Sequence, residues 1–139
     1  MSRPAGYSGT PLAKKLGIKP GMTVGLIGAP PEFPEVLGEL PDRVRLSAGA
    51  HGHAGLRIWF VRRKAELAEG IARVALLAAE GPVWIAWRKK TARSAPASGP
   101  DENAVRNAGL EAGLVDFKVC AIDETWSGLL FARRKAPTG

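Results

Sequence analysis

The sequence has a single cysteine and no long apolar run, and each shortage excludes a class of protein. Cys120 is the only cysteine among 139 residues, so an internal disulfide and an all-cysteine zinc site are both excluded. The longest apolar runs, such as 24–29 and 58–61, fall far short of the roughly 20 residues that cross a bilayer. They also lie too far from the N-terminus to form a signal peptide. We therefore expect a cytoplasmic protein without a membrane partner.

Acidic residues are scarce relative to basic ones. The chain has 13 Asp and Glu against 20 Lys and Arg, which gives a net charge of +7. This balance favours an anionic partner without naming one. The sequence has no helix-turn-helix, zinc-finger or aromatic RNA-binding motif, and its tryptophans lie mostly inside apolar runs. We therefore expect no specific recognition of nucleic acid.

The rest of the composition is that of an ordinary folded domain. The chain is 45% hydrophobic and 24% charged, as is typical of globular proteins. A chain of this length buries roughly 68% of the surface that its unfolded form exposes, which is enough for one core. We predict an N-terminal arm over residues 1–9, one domain over 10–135 with a mobile loop over 91–100, and a short tail over 136–139.

Four short apolar runs, each bounded by turn residues, predict buried strands. These are residues 22–28, 44–47, 56–61 and 83–87. The third run is apolar on both faces except for Arg57, which is typical of a central strand that is covered on both sides. Residues 64–80, which follow it, carry apolar side chains three and four positions apart and predict an amphipathic helix.

The C-terminal part of the sequence predicts a β-hairpin. Val115, Phe117, Val119 and Ala121 alternate on one face of a strand, and residues 129–131 return as a second strand. Upstream of the hairpin, strands alternate with helices, and this order implies parallel neighbours. We therefore predict an α/β fold in which a single mixed, mostly parallel sheet has helices on both faces and ends in an antiparallel hairpin.

Basic residues follow two of the predicted parallel strands. Ligands of open α/β sheets bind outside the carboxyl ends of the strands, so these side chains and a nearby glycine loop form a candidate site for a phosphate-bearing ligand. The candidate residues are Gly28, Arg62, Arg63, Arg88, Lys89 and Lys90. The alternative is that these cations only solvate strand ends, as the basic run 133–135 does elsewhere.

The turn of the hairpin has an unusual composition. Asp123, Glu124, Trp126 and Ser127 stand where a hairpin needs only glycine and asparagine. One interpretation is a recognition loop, and another is a contact with a protein partner through Trp126. The alternative is structural: Trp126 folds back onto the core while Asp123 and Ser127 hydrogen-bond the backbone of the turn.

No set of residues in the sequence indicates a catalytic or metal centre. His51 and His53 lie in a glycine-rich loop, and no third ligand stands at a motif spacing from them. Cys120 lacks the strongly basic setting of a reactive thiol and is expected to be a small buried apolar residue. We therefore expect no catalytic residue, no metal and no bound cofactor.

Three segments resemble a family of small bacterial proteins known as domain of unknown function three thousand and fifty-two. They are GYSGTPLAKKLGIKPG at 6–21, VWIAWRKK at 83–90 and VDFKVCAIDETWSGL at 115–129. The resemblance covers nearly the whole chain. It implies a shared fold and a bacterial cytoplasmic protein, and it implies no activity because the family has none assigned.

A second resemblance concerns architecture. The order of predicted elements resembles the C-terminal half of S-adenosylmethionine-dependent methyltransferases, with LIGAP at 26–30 in the place of their glycine-rich loop. Only Gly25 and Gly28 of the three-glycine pattern are present, and the second strand ends in Ala48 and Gly49 without the carboxylate that binds a ribose hydroxyl. The resemblance therefore implies a truncated relative that has lost cofactor binding.

Taken together, these observations favour a non-catalytic binding or interaction module with a basic, anion-accepting edge. Its partner would be a phosphate-bearing small molecule or a protein, and it would also be able to form a homo-oligomer. One alternative is a minimal methyltransferase-like enzyme that binds a nucleoside cofactor at residues 25–31. Another is a structural partner in a larger complex.

Overall fold

Six strands form one mixed sheet in the computed structural model, which describes residues 11–48, 52–89 and 99–133. The strands are β1 (Thr23–Ile27), β2 (Arg45–Ala48), β3 (Leu56–Val61), β4 (Val83–Arg88), β5 (Leu114–Ala121) and β6 (Trp126–Arg133). The helices are α1 (Leu12–Leu16), α2 (Phe33–Leu37), α3 (Lys64–Leu77) and α4 (Glu102–Glu111). None of these helices is long and apolar enough to cross a bilayer.

The sheet has the strand order β2-β1-β3-β4-β6-β5. The first four strands of this order run parallel, and β6 lies antiparallel between β4 and β5. This arrangement confirms the predicted α/β class and the C-terminal hairpin. Because β1 pairs with β2 on one side and β3 on the other, a crevice opens between the carboxyl ends of β1 and β3.

Strand β3 lies at the centre of the parallel part, and all six of its residues are buried. One of them is Arg57, whose side chain is 1% exposed. Its guanidinium group donates to the Gly52 carbonyl at 2.6 Å and pairs with Glu80 at 2.8 Å. A charged residue is tolerated inside the sheet because polar partners surround its head group.

The two faces of the sheet carry separate cores. On one face, α1 and α2 pack through buried residues such as Leu16 and Phe33. On the other face, α3 and α4 pack through residues such as Val74 and Val105. Helix α3 comes so close to the sheet that a Cβ atom at Gly70 would lie 2.6 Å from the Trp59 ring. Helices therefore cover both faces, as the sequence predicts.

The structure differs from the prediction at the end of helix α3 and within strand β5. Helix α3 ends at Leu77 rather than at residue 80, because residues 78–80 turn toward β4 and bring Glu80 to Arg57. A bulge at Phe117 breaks the predicted alternation of strand β5, because Val115 lies opposite Ala132 on one face and Val119 lies opposite Leu129 on the other. Phe117 and Val119 are 58% and 57% exposed. The predicted arm (1–9), most of the predicted loop (91–100) and the predicted tail (136–139) lie outside the described residues.

Candidate functional site

Arg62 and Arg88 lie at the same edge of the sheet. Strands β3 and β4 are parallel neighbours, and Val61 pairs with Trp87 at their carboxyl ends. Arg62 and Arg88 each come one residue later along the chain, so they stand at the same level on adjacent strands. Because side chains alternate along a strand, both continue the face that Phe60 and the first core occupy.

The indole ring of Trp126 joins these two arginines. The guanidinium carbons of Arg62 and Arg88 lie 5.3 Å and 5.4 Å from the centroid of this ring, within the range of cation–π attraction. Trp126 is itself 3% exposed, and Phe60 packs against it at 5.1 Å with the ring planes at 90°. The buried ring therefore contacts both cations and helps to orient them.

Arg62 also reaches the carboxyl end of β1. Its Nη1 atom donates to the Gly28 carbonyl oxygen at 2.9 Å, so the guanidinium group spans the crevice between β1 and β3. Gly28 has a φ of 69°, and a Cβ atom there would lie 3.1 Å from the Phe60 carbonyl oxygen. The left-handed conformation and the close approach both favour glycine at this position.

Lys89 extends the basic edge toward the hairpin turn. Its Nζ atom donates to the Asp123 carbonyl oxygen at 2.6 Å, and its backbone N–H donates to Thr125 at 2.8 Å. The carboxylate of Asp123 in turn accepts the backbone N–H groups of Thr125 and Trp126, both at 2.8 Å. The turn is thus a closed Asx-type structure fastened to the end of β4.

The remaining candidates of the turn differ in position. Glu124 is exposed, and Ser127 is half-buried opposite Trp87 in the pairing of β4 with β6. Trp126 folds back onto the core and Asp123 caps the turn, as the structural interpretation of this segment describes. The turn therefore contributes to the edge through Asp123 and Trp126, which hold the cations rather than face solvent.

Arg63 does not join this arrangement. Arg63 is exposed at the start of α3 and lines an open groove of about 680 Å³ together with Trp59 and Arg73. Lys90 lies outside the described residues. The basic edge consists, among the described candidates, of Arg62, Arg88 and Lys89.

Cys120 and His53 are not among the residues of the basic edge. Cys120 is half-buried, and its burial raises the pKa of the thiol, an effect that the ammonium groups of Lys15, Lys118 and Lys89 partly oppose. His53 is exposed, and His51 lies outside the described residues. Among residues 11–48, 52–89 and 99–133, no group of three or more His, Cys, Asp or Glu is arranged to hold a metal ion.

The sequence alone indicates neither the role of Glu66 at this edge nor the contact of Trp126 with the two arginines. Glu66 accepts the backbone N–H of Arg62 at 2.7 Å and so fixes the turn between β3 and α3. Its position four residues after Arg62, in the first turn of the predicted helix, is typical of such a contact. The stacking of Trp126 on both arginines had no counterpart in the sequence, because it depends on the placement of β6 beside β4.

The fold is that of S-adenosylmethionine-dependent methyltransferases, in their Rossmann-like form. A methyltransferase of this class from Aquifex aeolicus superposes with a TM-score of 0.61 at 12% identity, over 86% of both chains. A putative type 11 methyltransferase from Sulfolobus solfataricus gives 0.60 at 14% identity, over 92% of both chains. The pyocyanin biosynthetic protein PhzM gives 0.63 at 11% identity, over 88% of this chain and 53% of PhzM.

No family model and no curated protein matches the chain. The solved structures are similar to it at identities at which likeness extends to the fold alone. This likeness concerns the fold. The chemistry of the basic edge depends on the residues of this chain.

Proposed function

We propose that this chain is a non-catalytic binding module that accepts a phosphate-bearing ligand at the carboxyl edge of its sheet. The observation that carries the proposal is the position of Arg62 and Arg88 on one buried indole ring. Two guanidinium groups at one level of adjacent strands offer a fork of N–H donors, which suits phosphate oxygens. Lys89 adds a third positive charge at the same edge.

The location supports the same proposal. In open α/β sheets, ligands bind where the strand order reverses, and here that crevice lies between β1 and β3. Arg62 spans this crevice through its bond to the Gly28 carbonyl. A guanidinium group at this point favours an anionic group over a neutral one, because the nearest fixed charge is positive.

Arginine side chains that are already ordered bind an anion more favourably than freely rotating ones. A free arginine loses rotamer freedom when it binds an anion, which costs up to about 2 kcal/mol for each side chain. Contacts with Trp126 and Gly28 order these side chains before a ligand arrives. This preorganisation distinguishes the edge from an exposed cation such as Arg133.

The experiment is isothermal titration calorimetry with pyrophosphate, at constant ionic strength and with sulfate as the reference anion. We expect Arg62→Gln and Arg88→Gln each to weaken pyrophosphate binding about tenfold or more, since each loses a charge-assisted contact. Arg45→Gln is the matched control. It removes the same charge from an exposed residue at the start of β2, at the amino ends of the parallel strands and away from the proposed site. Equal affinity in all four proteins, or equal binding of sulfate, would refute the proposal.

A second candidate is a nucleoside cofactor of the S-adenosylmethionine type, bound at residues 25–31. It is favoured by the methyltransferase-like fold of the chain and by Gly28 at the end of β1. The five-residue helix α2 and the absence of a carboxylate at the end of β2 weigh against it. Titration with S-adenosylmethionine separates the two: saturable heat that survives Arg62→Gln supports the cofactor, and no heat removes it.

No family model supports the resemblance to the bacterial domain-of-unknown-function family, and it adds no ligand to either candidate. If the same edge binds a protein partner instead, neither pyrophosphate nor S-adenosylmethionine would give heat of binding. In that case the anion-binding proposal fails as stated.

A further inference from the structure

Among the described residues, strand β5 is an edge of the sheet and carries large exposed apolar side chains. It pairs with β6 on one side only. Val119 lies opposite Leu129 and therefore on the face where α3 and α4 pack. Helix α4 has ten residues and is about 15 Å long, whereas the eight residues of β5 extend over about 26 Å. The helix is too short to cover the end of the strand, which leaves Phe117 and Val119 exposed.

The edge also has backbone groups that face away from β6 in the part of the strand beyond its bulge. Phe117 is the extra residue of an irregularity between Asp116 and Lys118, after which regular pairing with β6 resumes. The Ile122 N–H donates to the Trp126 carbonyl in β6. Since backbone groups alternate in direction along an antiparallel strand, those of Val119 and Ala121 point away from β6, toward the open edge.

We propose that this edge pairs antiparallel with β5 of a second copy of the chain, about a two-fold axis at Val119. In this register the two Val119 residues form a hydrogen-bonded pair, and Phe117 lies opposite the small Ala121 of the second copy. The exposed side chains of both strands then form one apolar cluster, since directly opposed side chains share a face. The contact is independent of the anion-binding edge.

Charge and strand regularity disfavour the registers centred on Lys118 and on Phe117. Both copies carry a net charge of +7, so a register that sets like charges directly opposite each other is disfavoured. An axis at Lys118 would put two ammonium groups directly opposite each other, which is destabilising. An axis at Phe117 would centre the pairing on the irregular residue. The axis at Val119 avoids both, because it puts Lys118 opposite Cys120.

The other sheet edge is a poorer surface for pairing. Strand β2 has only four residues, and it begins with the exposed Arg45. Among the described residues, Leu76 is the remaining large exposed apolar side chain, but it lies on α3 and not on a strand edge. Strand β5 therefore offers a second copy both outward-facing backbone groups and exposed apolar side chains.

Disulfide trapping tests the register. In a Cys120→Ser background, Val119→Cys puts two thiols in directly opposed positions with Cα atoms about 5.5 Å apart, which a disulfide can bridge. Lys118→Cys in the same background is the control, because its two thiols lie on the diagonal, about 7–8 Å apart. With copper phenanthroline and air as oxidant, we expect a cross-linked dimer at position 119 and at least about tenfold slower cross-linking at position 118. Equal rates would overturn the proposed register.

Sedimentation velocity of the unmodified protein tests the association itself. We expect a concentration-dependent dimer that strengthens with salt, since salt screens the repulsion between two basic copies. Val119→Asp should return the protein to monomer, whereas Leu76→Asp, an equal change at another exposed apolar residue, should not. Circular dichroism of both variants checks that they fold. A wild-type protein that is monomeric at every concentration and salt level, or equal effects of the two variants, would overturn the proposal.

Discussion

Arg57 and Glu80 form an ion pair in which an Nη2 atom of the arginine lies 2.8 Å from a carboxylate oxygen. The arginine is buried inside β3, while the side chain of Glu80 is 36% exposed. The same guanidinium group donates to the carbonyls of Gly52 and Leu77. The pair therefore ties the end of α3 and the loop before β3 to the centre of the sheet.

The Glu80 pair predicts a pH dependence of stability. The hydrogen bond from Arg57 holds the pKa of this carboxyl below its ordinary value. A carboxyl with a lower pKa in the folded state stabilises the fold above its unfolded pKa, and that stabilisation is lost as pH falls through the folded value. We expect urea unfolding of the wild type to lose more stability between pH 6 and pH 3 than Glu80→Gln does. Glu69→Gln, exposed on α3, should follow the wild type; a Glu80→Gln curve of wild-type slope would contradict the prediction.

Trp126 is expected to support both the core and the basic edge. Trp126→Leu removes a buried ring that contacts Phe60, Arg62 and Arg88, and we expect a loss of about 2–4 kcal/mol in the free energy of unfolding. Trp126→Phe keeps an aromatic face and should lose less. Chemical denaturation of the two variants measures the difference. Equal losses would mean that the ring acts through volume alone.

Asp123 is expected to stabilise the hairpin turn through its carboxylate. Asp123→Ala leaves two backbone N–H groups without their acceptor, and we expect a cost of about 1–3 kcal/mol. Asp123→Asn keeps an acceptor oxygen and should cost less. Glu124→Ala, at the exposed neighbour, is the control and should change the melting temperature little. A similar loss in the Glu124 variant would indicate that the segment, and not the Asp123 cap, is sensitive.

Cys120 is expected to react slowly with thiol reagents. Burial raises the pKa of its thiol, so a smaller fraction is thiolate at neutral pH, and the thiolate is the reacting form. We expect slower alkylation in the folded protein than in urea-unfolded protein at pH 7.5, with the rate rising steeply toward pH 9.5. A folded rate equal to or above the unfolded rate would show that the three nearby lysines outweigh burial.

Local sequence patterns predict most of the helices and strands, because burial of one face gives each its own spacing of apolar residues. The run 56–61 reads as a central strand in the sequence, and β3 occupies those residues in the middle of the sheet. The glycine at 17 ends α1 in the left-handed conformation, as a glycine after a helix favours. The apolar alternation at 115–121 predicts a strand, and β5 occupies Leu114–Ala121. The exposure of Phe117 and Val119 depends instead on the bulge at Phe117 and on the length of α4, which no local pattern encodes.

The order of strands and helices along the chain, and hence the parallel sheet with its terminal hairpin, was determined by the amino-acid sequence itself, because apolar spacing and turn residues act over short distances. Only the tertiary structure decided that β6 would lie beside β4 and bring Trp126 under Arg62 and Arg88. That neighbourhood joins residues 26 to 64 positions apart, and no local period encodes it. It arises from the packing of the sheet as a whole.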